Sequence, residues 1–222
     1  MLEKTRGIVF RFVKYGDTSI IVTIFTESFG LQSYIVNGVR SKAAKSKIAL
    51  YQPLTLLELV AYHKENNSIV RIKEAQCSYH YQHIPHDIRK SSIAMFLNEV
   101  INKAVKEQSH TENLCAFFFE SFEILDRLTG GVENFHLVFL IRLSRHLGFG
   151  PQQNEDILEG RMLGESEELI LNRMLTLEYG ERLPMTPENR RNVLDAILRF
   201  FRMHIDTFGE IKSLSVLKEV LE

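Results

Sequence analysis

Arg40, Lys42, Lys45 and Lys47 fall within eight residues, inside a stretch from Glu27 to Glu58 that has no acid between its ends. Ser41, Ala43, Ala44 and Ser46 separate them, and these small side chains let four long cations spread. Such a run attracts a polyanion and suits contact with phosphates. A solvated basic loop has the same composition, so charge alone leaves both readings open. Phe10, Phe12, Tyr15 and Tyr34 lie in the flanking runs and are candidates for stacking on bases, although strand alternation turns some of them into a core.

Other groups offer less. Cys77, His80, His83 and His86 recur every three residues, and thiol with imidazole is zinc chemistry. All four lie on one short stretch broken by Pro85, whereas tetrahedral sites usually join ligand pairs from separate segments, so a polar linker is the expected reading. Cys77 and Cys115 are the only cysteines, too few for a disulfide framework, and are expected as reduced thiols. The chain has no GxSxG, GxxxxGK[ST], HExxH or GxGxxG. Glu155-Asp156 and Glu167-Glu168 read as solvated acidic faces without a catalytic role. Phe117, Phe118, Phe119 and Phe122 read as core, while Phe200, Phe201 and Phe208 leave open an apolar groove for a partner peptide.

The elements that must position these residues fall into two kinds. From Arg6 to Gln76, short apolar runs rich in Val, Ile, Phe, Thr and Tyr alternate with turn residues. GIVFRFV, SIIVTIFT, LQSYIVNGV, LTLLELVAY and IVRIKEAQ give five strands in about 75 residues, which predicts a small closed barrel with the basic connection between its third and fourth strands. After Pro85 the apolar period lengthens to about 3.6. Ile93, Phe96, Leu97, Val100, Ile101 and Ala104 share one helical face; Leu114, Phe118, Phe122, Leu125 and Leu128 form a second stripe closed by Gly130-Gly131. Phe135 to Leu147 is apolar nearly all round and is expected at the centre of a bundle. A last long helix is expected to begin with Thr186 as cap and Pro187 in the first turn, and to stop at Gly209.

Charge follows the same division. Residues 1–80 hold 11 Lys/Arg against 6 Asp/Glu, and residues 81–222 hold 16 against 22, so a basic module precedes an acidic one within a chain whose net charge is only −1. No apolar run approaches the roughly 20 residues that cross a bilayer, and MLEKTRG is not a signal peptide, so a cytoplasmic protein is expected.

GIVFRFVKYGDTSIIVTIFTESFG, followed by NGVR, Ser46, Leu50 and Pro53, resembles the amino-terminal part of the RecO family of bacterial recombination mediators. There an aromatic-Gly-acid turn precedes an I-V-T-x-F-T strand, and a G-x-R segment leads into a basic loop. FLIRLSRHLGFGP (139–151) resembles the family's central helix and its Leu-Gly-aromatic-x-Pro corner, and IKSLSVLKEVL its carboxy-terminal segment, so the likeness spans nearly the whole chain. The resemblance implies an α+β protein: a five-stranded OB-fold over residues 1–80, then an α-helical domain over residues 81–222. It implies DNA-contact residues at Arg40, Lys42, Lys45 and Lys47, with Arg11 and Lys14 on the preceding hairpin as weaker candidates. It further implies binding and annealing of single- and double-stranded DNA, docking on the tail of single-strand-binding protein, and partnership with RecR so that RecA loads onto coated strands in the nucleoid. Where many members carry a four-cysteine zinc motif after the Pro corner, this chain has Gln-Gln-Asn-Glu-Asp after Pro151. No metal or other cofactor is therefore expected, and residues 152–164 are expected to be a plain loop.

Two function classes remain. A non-catalytic DNA-binding mediator is favoured by the charge asymmetry; a protein-only adaptor without nucleic-acid contact is the alternative. A metal-dependent hydrolase built on the Cys77 and His80 region is a third and weaker reading.

Overall fold

The computed structural model of the chain describes residues 2–40, 47–62, 69–106, 111–158 and 164–221. Five strands, β1 (Leu2–Tyr15), β2 (Ser19–Thr26), β3 (Gly30–Val36), β4 (Leu56–Tyr62) and β5 (Ile69–Tyr79), close a barrel in the order β1-β2-β3-β5-β4. Only β3 and β5 pair in parallel. This is the expected OB-type barrel.

β1 is twice as long as the seven-residue run that signals it, because it serves two neighbours. Leu2–Ile8 pairs with β4 and Gly7–Tyr15 with β2, so the strand must bend where the two sets overlap. Gly7 stands there, and a Cβ on it would come within 2.7 Å of the Ile24 side chain. Two residues later the register slips: Val9 faces Ile24, Arg11 faces Thr23, and Phe10 is the extra residue of a β-bulge. Inside, Val9, Ile20, Val22, Ile24, Tyr34, Leu57, Leu59 and Ala61 make the core. Val39 and Tyr51 reach it from the β3–β4 connection, whose described end is a 3₁₀ turn over Lys47–Tyr51.

The bulge decides what covers the barrel. By alternation Ile8 points out and Val9 in; the extra residue lets Phe10 and Arg11 both point out. Phe10 stacks on Phe25 at 5.8 Å, and both meet Phe118 edge-on at 5.9 and 5.6 Å. Phe118 belongs to α2 (Thr111–Arg127), whose first turn is tied down where the Thr111 hydroxyl donates to the Glu27 carbonyl, 2.7 Å. The fold accordingly divides into two compact units, 1–81 with 105–123, and 82–104 with 124–222. The barrel's unit includes most of α2.

The second unit is helical: α1 (Ile88–Ala104), the end of α2, α3 (Phe135–His146), α4 (Asn154–Leu158), α5 (Glu165–Met174), α6 (Pro187–His204) and α7 (Leu214–Val220). The expected faces are buried. α3 is central, with Phe135 to Ile141 all shielded. Asp126 organises the approach to α1: its carboxylate accepts the backbone N–H groups of Gln82, His83 and Ile84 at 2.8–2.9 Å, and Lys90 Nζ donates to its carbonyl, 2.6 Å. Glu99 does the same for α7, accepting the N–H groups of Lys212 and Ser213 and the Ser213 hydroxyl at 2.7–2.8 Å. These five amide donors would otherwise be orphaned.

The structure departs from the sequence expectations at several points. Residues 152–164 are not a plain loop, because Asn154–Leu158 forms α4: Asp156 accepts the N–H groups of Gln152 and Gln153, and Ile157 and Leu158 are buried. Glu167 is not solvated; it is buried and bonded to Ser166 and Asn192. Phe200, Phe201 and Phe208 leave no groove, since all three are core residues packed with Phe149 or one another. The last long helix starts with the expected Thr186 cap, reinforced by Asn189, but ends at His204, and Gly209 supplies a positive φ in the following turn. No helix among the described residues is long and apolar enough to cross a membrane.

Candidate nucleic-acid interface

The two ends of the basic connection lie differently. Arg40 is half-buried and anchored on the β1–β2 turn: its N–H donates to the Thr18 carbonyl, 2.9 Å, and its Nη1 to the Gly16 carbonyl, 3.0 Å. That pinning sets the start of the connection beside Lys14 and Tyr15, both exposed at the end of β1. Lys47, at the other end, is exposed in the first residue of the 3₁₀ turn. Lys42 and Lys45 lie outside the described residues.

Arg11 opens onto a separate surface. Cross-strand partners point to the same side of a sheet, so the register assembles two rows on the outer barrel wall. Arg11, Thr23, Ser33 and Ile69 form one; Val13, Ile21, Ile35 and Arg71 form the next. Tyr15 and Ser19 follow at the hairpin end. The face is open: Val13 is 55% exposed, Tyr15 52% and Ile69 43%. It joins cations at two corners to aliphatic and hydroxyl side chains, and among the described residues neither Arg11 nor Arg71 has an acidic partner. Arg71 is absent from the candidates drawn from the sequence. The signal was present in the alternation Ile69-Val70-Arg71-Ile72, which puts Arg71 outside, but only the β3–β5 register brings it to Arg11's face.

Two further described cations of the barrel stand beside acids, Arg6 in an ion pair and Lys4 in a cleft. Arg6 is paired with Glu27, and its guanidinium lies 5.3 Å from the centroid of Phe119. Their hydrogen bond holds the Glu27 carboxyl below its ordinary pKa and raises that of Arg6. Lys4 lines a cleft on the β1–β4–β5 side together with Glu58, Glu74 and Gln76, a mixed surface poorly suited to phosphate. Of the four aromatic candidates, Phe10 and Tyr34 are buried, Phe12 packs against the core, and Tyr15 alone is exposed.

Cys77 and the three histidines do not converge. The Cys77 thiol donates to the Tyr79 carbonyl, 3.1 Å, while His80, His83 and His86 are exposed, and no three His, Cys, Asp or Glu side chains among the described residues are placed to hold a metal ion. In the helical unit, a shallow cleft at α6 and α7 is lined by Arg190, Arg191, Lys218, Leu194, Leu217 and Leu221, with His136 beneath it. Arg190 donates to Asn134 and to the Leu221 carbonyl. His136 is completely buried, both ring nitrogens lack a hydrogen-bond partner, and burial, with a smaller contribution from Arg190, lowers its pKa to about 3.

Two family models match this chain: "Recombination protein O N terminal" over residues 1–81 and "Recombination protein O C terminal" over residues 85–172. The chain is 37% identical to the DNA repair protein RecO of Bacteroides fragilis, over the whole of both chains. It is 35% identical to the RecO of Phocaeicola vulgatus and 34% identical to that of Flavobacterium johnsoniae, over 99% of each chain.

Proposed function

The chain belongs to the RecO family of DNA repair proteins, and from that premise we propose that it is a recombination mediator that acts by binding, with no catalytic step of its own. It holds single- and double-stranded DNA on its barrel, promotes annealing, and with RecR helps load RecA onto strands coated by single-strand-binding protein, in the cytoplasm at the nucleoid.

The observation that carries the reading is the outer wall with Arg11 and Arg71, adjoined at the hairpin by Lys14, Tyr15 and the anchored Arg40. On it, among the described residues, Arg11 and Arg71 stand without acidic partners. An OB barrel commonly binds strands on such a wall. The tail of single-strand-binding protein docks on the helical unit, where a cleft lined by Leu194, Leu217 and Leu221 and edged by Arg190 and Arg191, with Lys218 already held by Asp195, would suit a segment both acidic and apolar.

The test is fluorescence-anisotropy binding of labelled single-stranded DNA across a salt series. With about four phosphates neutralised, affinity should fall by roughly three powers of ten for each tenfold rise in salt. Charge reversal to Glu at Arg40, Lys42, Lys45 and Lys47 should abolish binding in a still-folded protein. Absence of binding at low salt would sink the reading and leave a protein-only adaptor.

A further inference from the structure

Resting on the reading of the barrel wall as a DNA site, we propose that the wall grips the sugar–phosphate chain and leaves the bases turned away, free to pair with a second strand. The side chains that the face lacks point this way. OB barrels that hold single strands by their bases present aromatic platforms on which successive bases stack. Here the fold takes those platforms away. The bulge at Phe10 sends that ring under Phe118, and Phe25 goes with it; Phe12 and Tyr34 turn into the core. The two rows left in the open, Arg11-Thr23-Ser33-Ile69 and Val13-Ile21-Ile35-Arg71, contain no ring at all. Tyr15, beyond them at the hairpin end, offers stacking to one base at most.

What the rows do contain matches the backbone. Arg11 and Arg71 sit at diagonal corners of the patch and can each meet a phosphate; Thr23 and Ser33 offer hydroxyls to phosphate or sugar oxygens; Val13, Ile21, Ile35 and Ile69 give apolar contact to deoxyribose. Adjacent strands are about 4.8 Å apart, so the patch spans roughly 14 Å across four strands, room for a few nucleotides. A strand held in this way keeps its Watson–Crick edges outward, and a complementary strand can pair with it before it is released.

The experiment compares the intact protein's binding to an oligothymidylate and to an abasic oligonucleotide of equal length, by anisotropy at low salt, with permanganate reactivity of the thymines in the bound strand as a second readout. The expected result is an abasic affinity within about threefold of the thymidine strand and thymines that stay reactive to within a factor of two. A single stacked base contributes roughly tenfold to affinity, so abasic binding weaker by a hundredfold, or thymines protected from permanganate, would overturn the proposal while leaving DNA binding intact. Failure to bind either strand would overturn it together with the reading on which it rests.

Discussion

At the scale of single residues, the helical unit concentrates its risk in two buried polar groups. Removing the Asp126 carboxylate would leave the N–H groups of Gln82, His83 and Ile84 without acceptors, the first two in a partly buried setting and the third in a buried one. Asp126→Ala should therefore destabilise the protein by about 3 kcal/mol, read as a shift in urea unfolding, and Asp126→Asn by less, since it keeps one acceptor oxygen. His136 predicts a pH dependence. Its folded pKa of about 3 lies far below the ordinary 6.5, so between those values the unfolded chain binds the proton and the folded one does not. Stability is retained above pH 6.5 and lost as pH falls through this window, by about 1.4 kcal/mol per pH unit. Between pH 6.5 and 5 the loss should approach about 2 kcal/mol, with His146, also lowered by burial, adding in the same direction. His136→Phe should flatten that slope. The depressed carboxyls of Glu27, Asp87, Glu99 and Glu167 act lower, below their ordinary 4 to 4.5.

At the scale of elements, the junction of α2 with the barrel rests on Phe118 between Phe10 and Phe25. Phe118→Ala should cost about 3 to 5 kcal/mol, measured by thermal unfolding, while Thr186→Ala at the start of α6 should cost about 1 kcal/mol. The reading of the chain succeeded where a period could be followed. The face of α1, the stripe of α2 and the cap of α6 are all local patterns of residues. What each face packs against is not local: Leu114, Phe118 and Phe122 announce an apolar stripe with no mark that a barrel wall receives it. α4 escaped because five residues make too short a window for a helical period, and Asp156, which accepts the N–H groups of Gln152 and Gln153 ahead of it, reads equally well as a loop acid. β1 ran longer than its apolar signal because polar Glu3, Lys4 and Arg6 still pair with β4.

At the scale of the whole molecule, the structure gathers described cations of the amino-terminal part, Arg11 and Arg71, on one open wall of the barrel. The run from Arg40 to Lys47 is a matter of composition, with Lys42 and Lys45 outside the described residues; the wall could not be read from composition, because Arg11 and Arg71 are 60 residues apart and reach one face only through three registers and a bulge. Arg11→Glu combined with Arg71→Glu should weaken single-strand binding at least tenfold and reduce the slope of log affinity against log salt by about 1.4, a pair of phosphate contacts at the single-strand coefficient. Unchanged binding in this variant would confine DNA contact to the loop. The division of the chain has a further consequence for synthesis on the ribosome. Residues 1–81 complete every strand, yet Phe10 and Phe25 stay bare until α2 has emerged as far as Glu123. At the usual 5–20 residues per second, that leaves a nascent barrel with a greasy side for roughly 2–8 s. A gene cut after Tyr81 would make that interval permanent, and the fragment should aggregate on expression, whereas no single cut anywhere in this chain yields a covered barrel without also carrying α1.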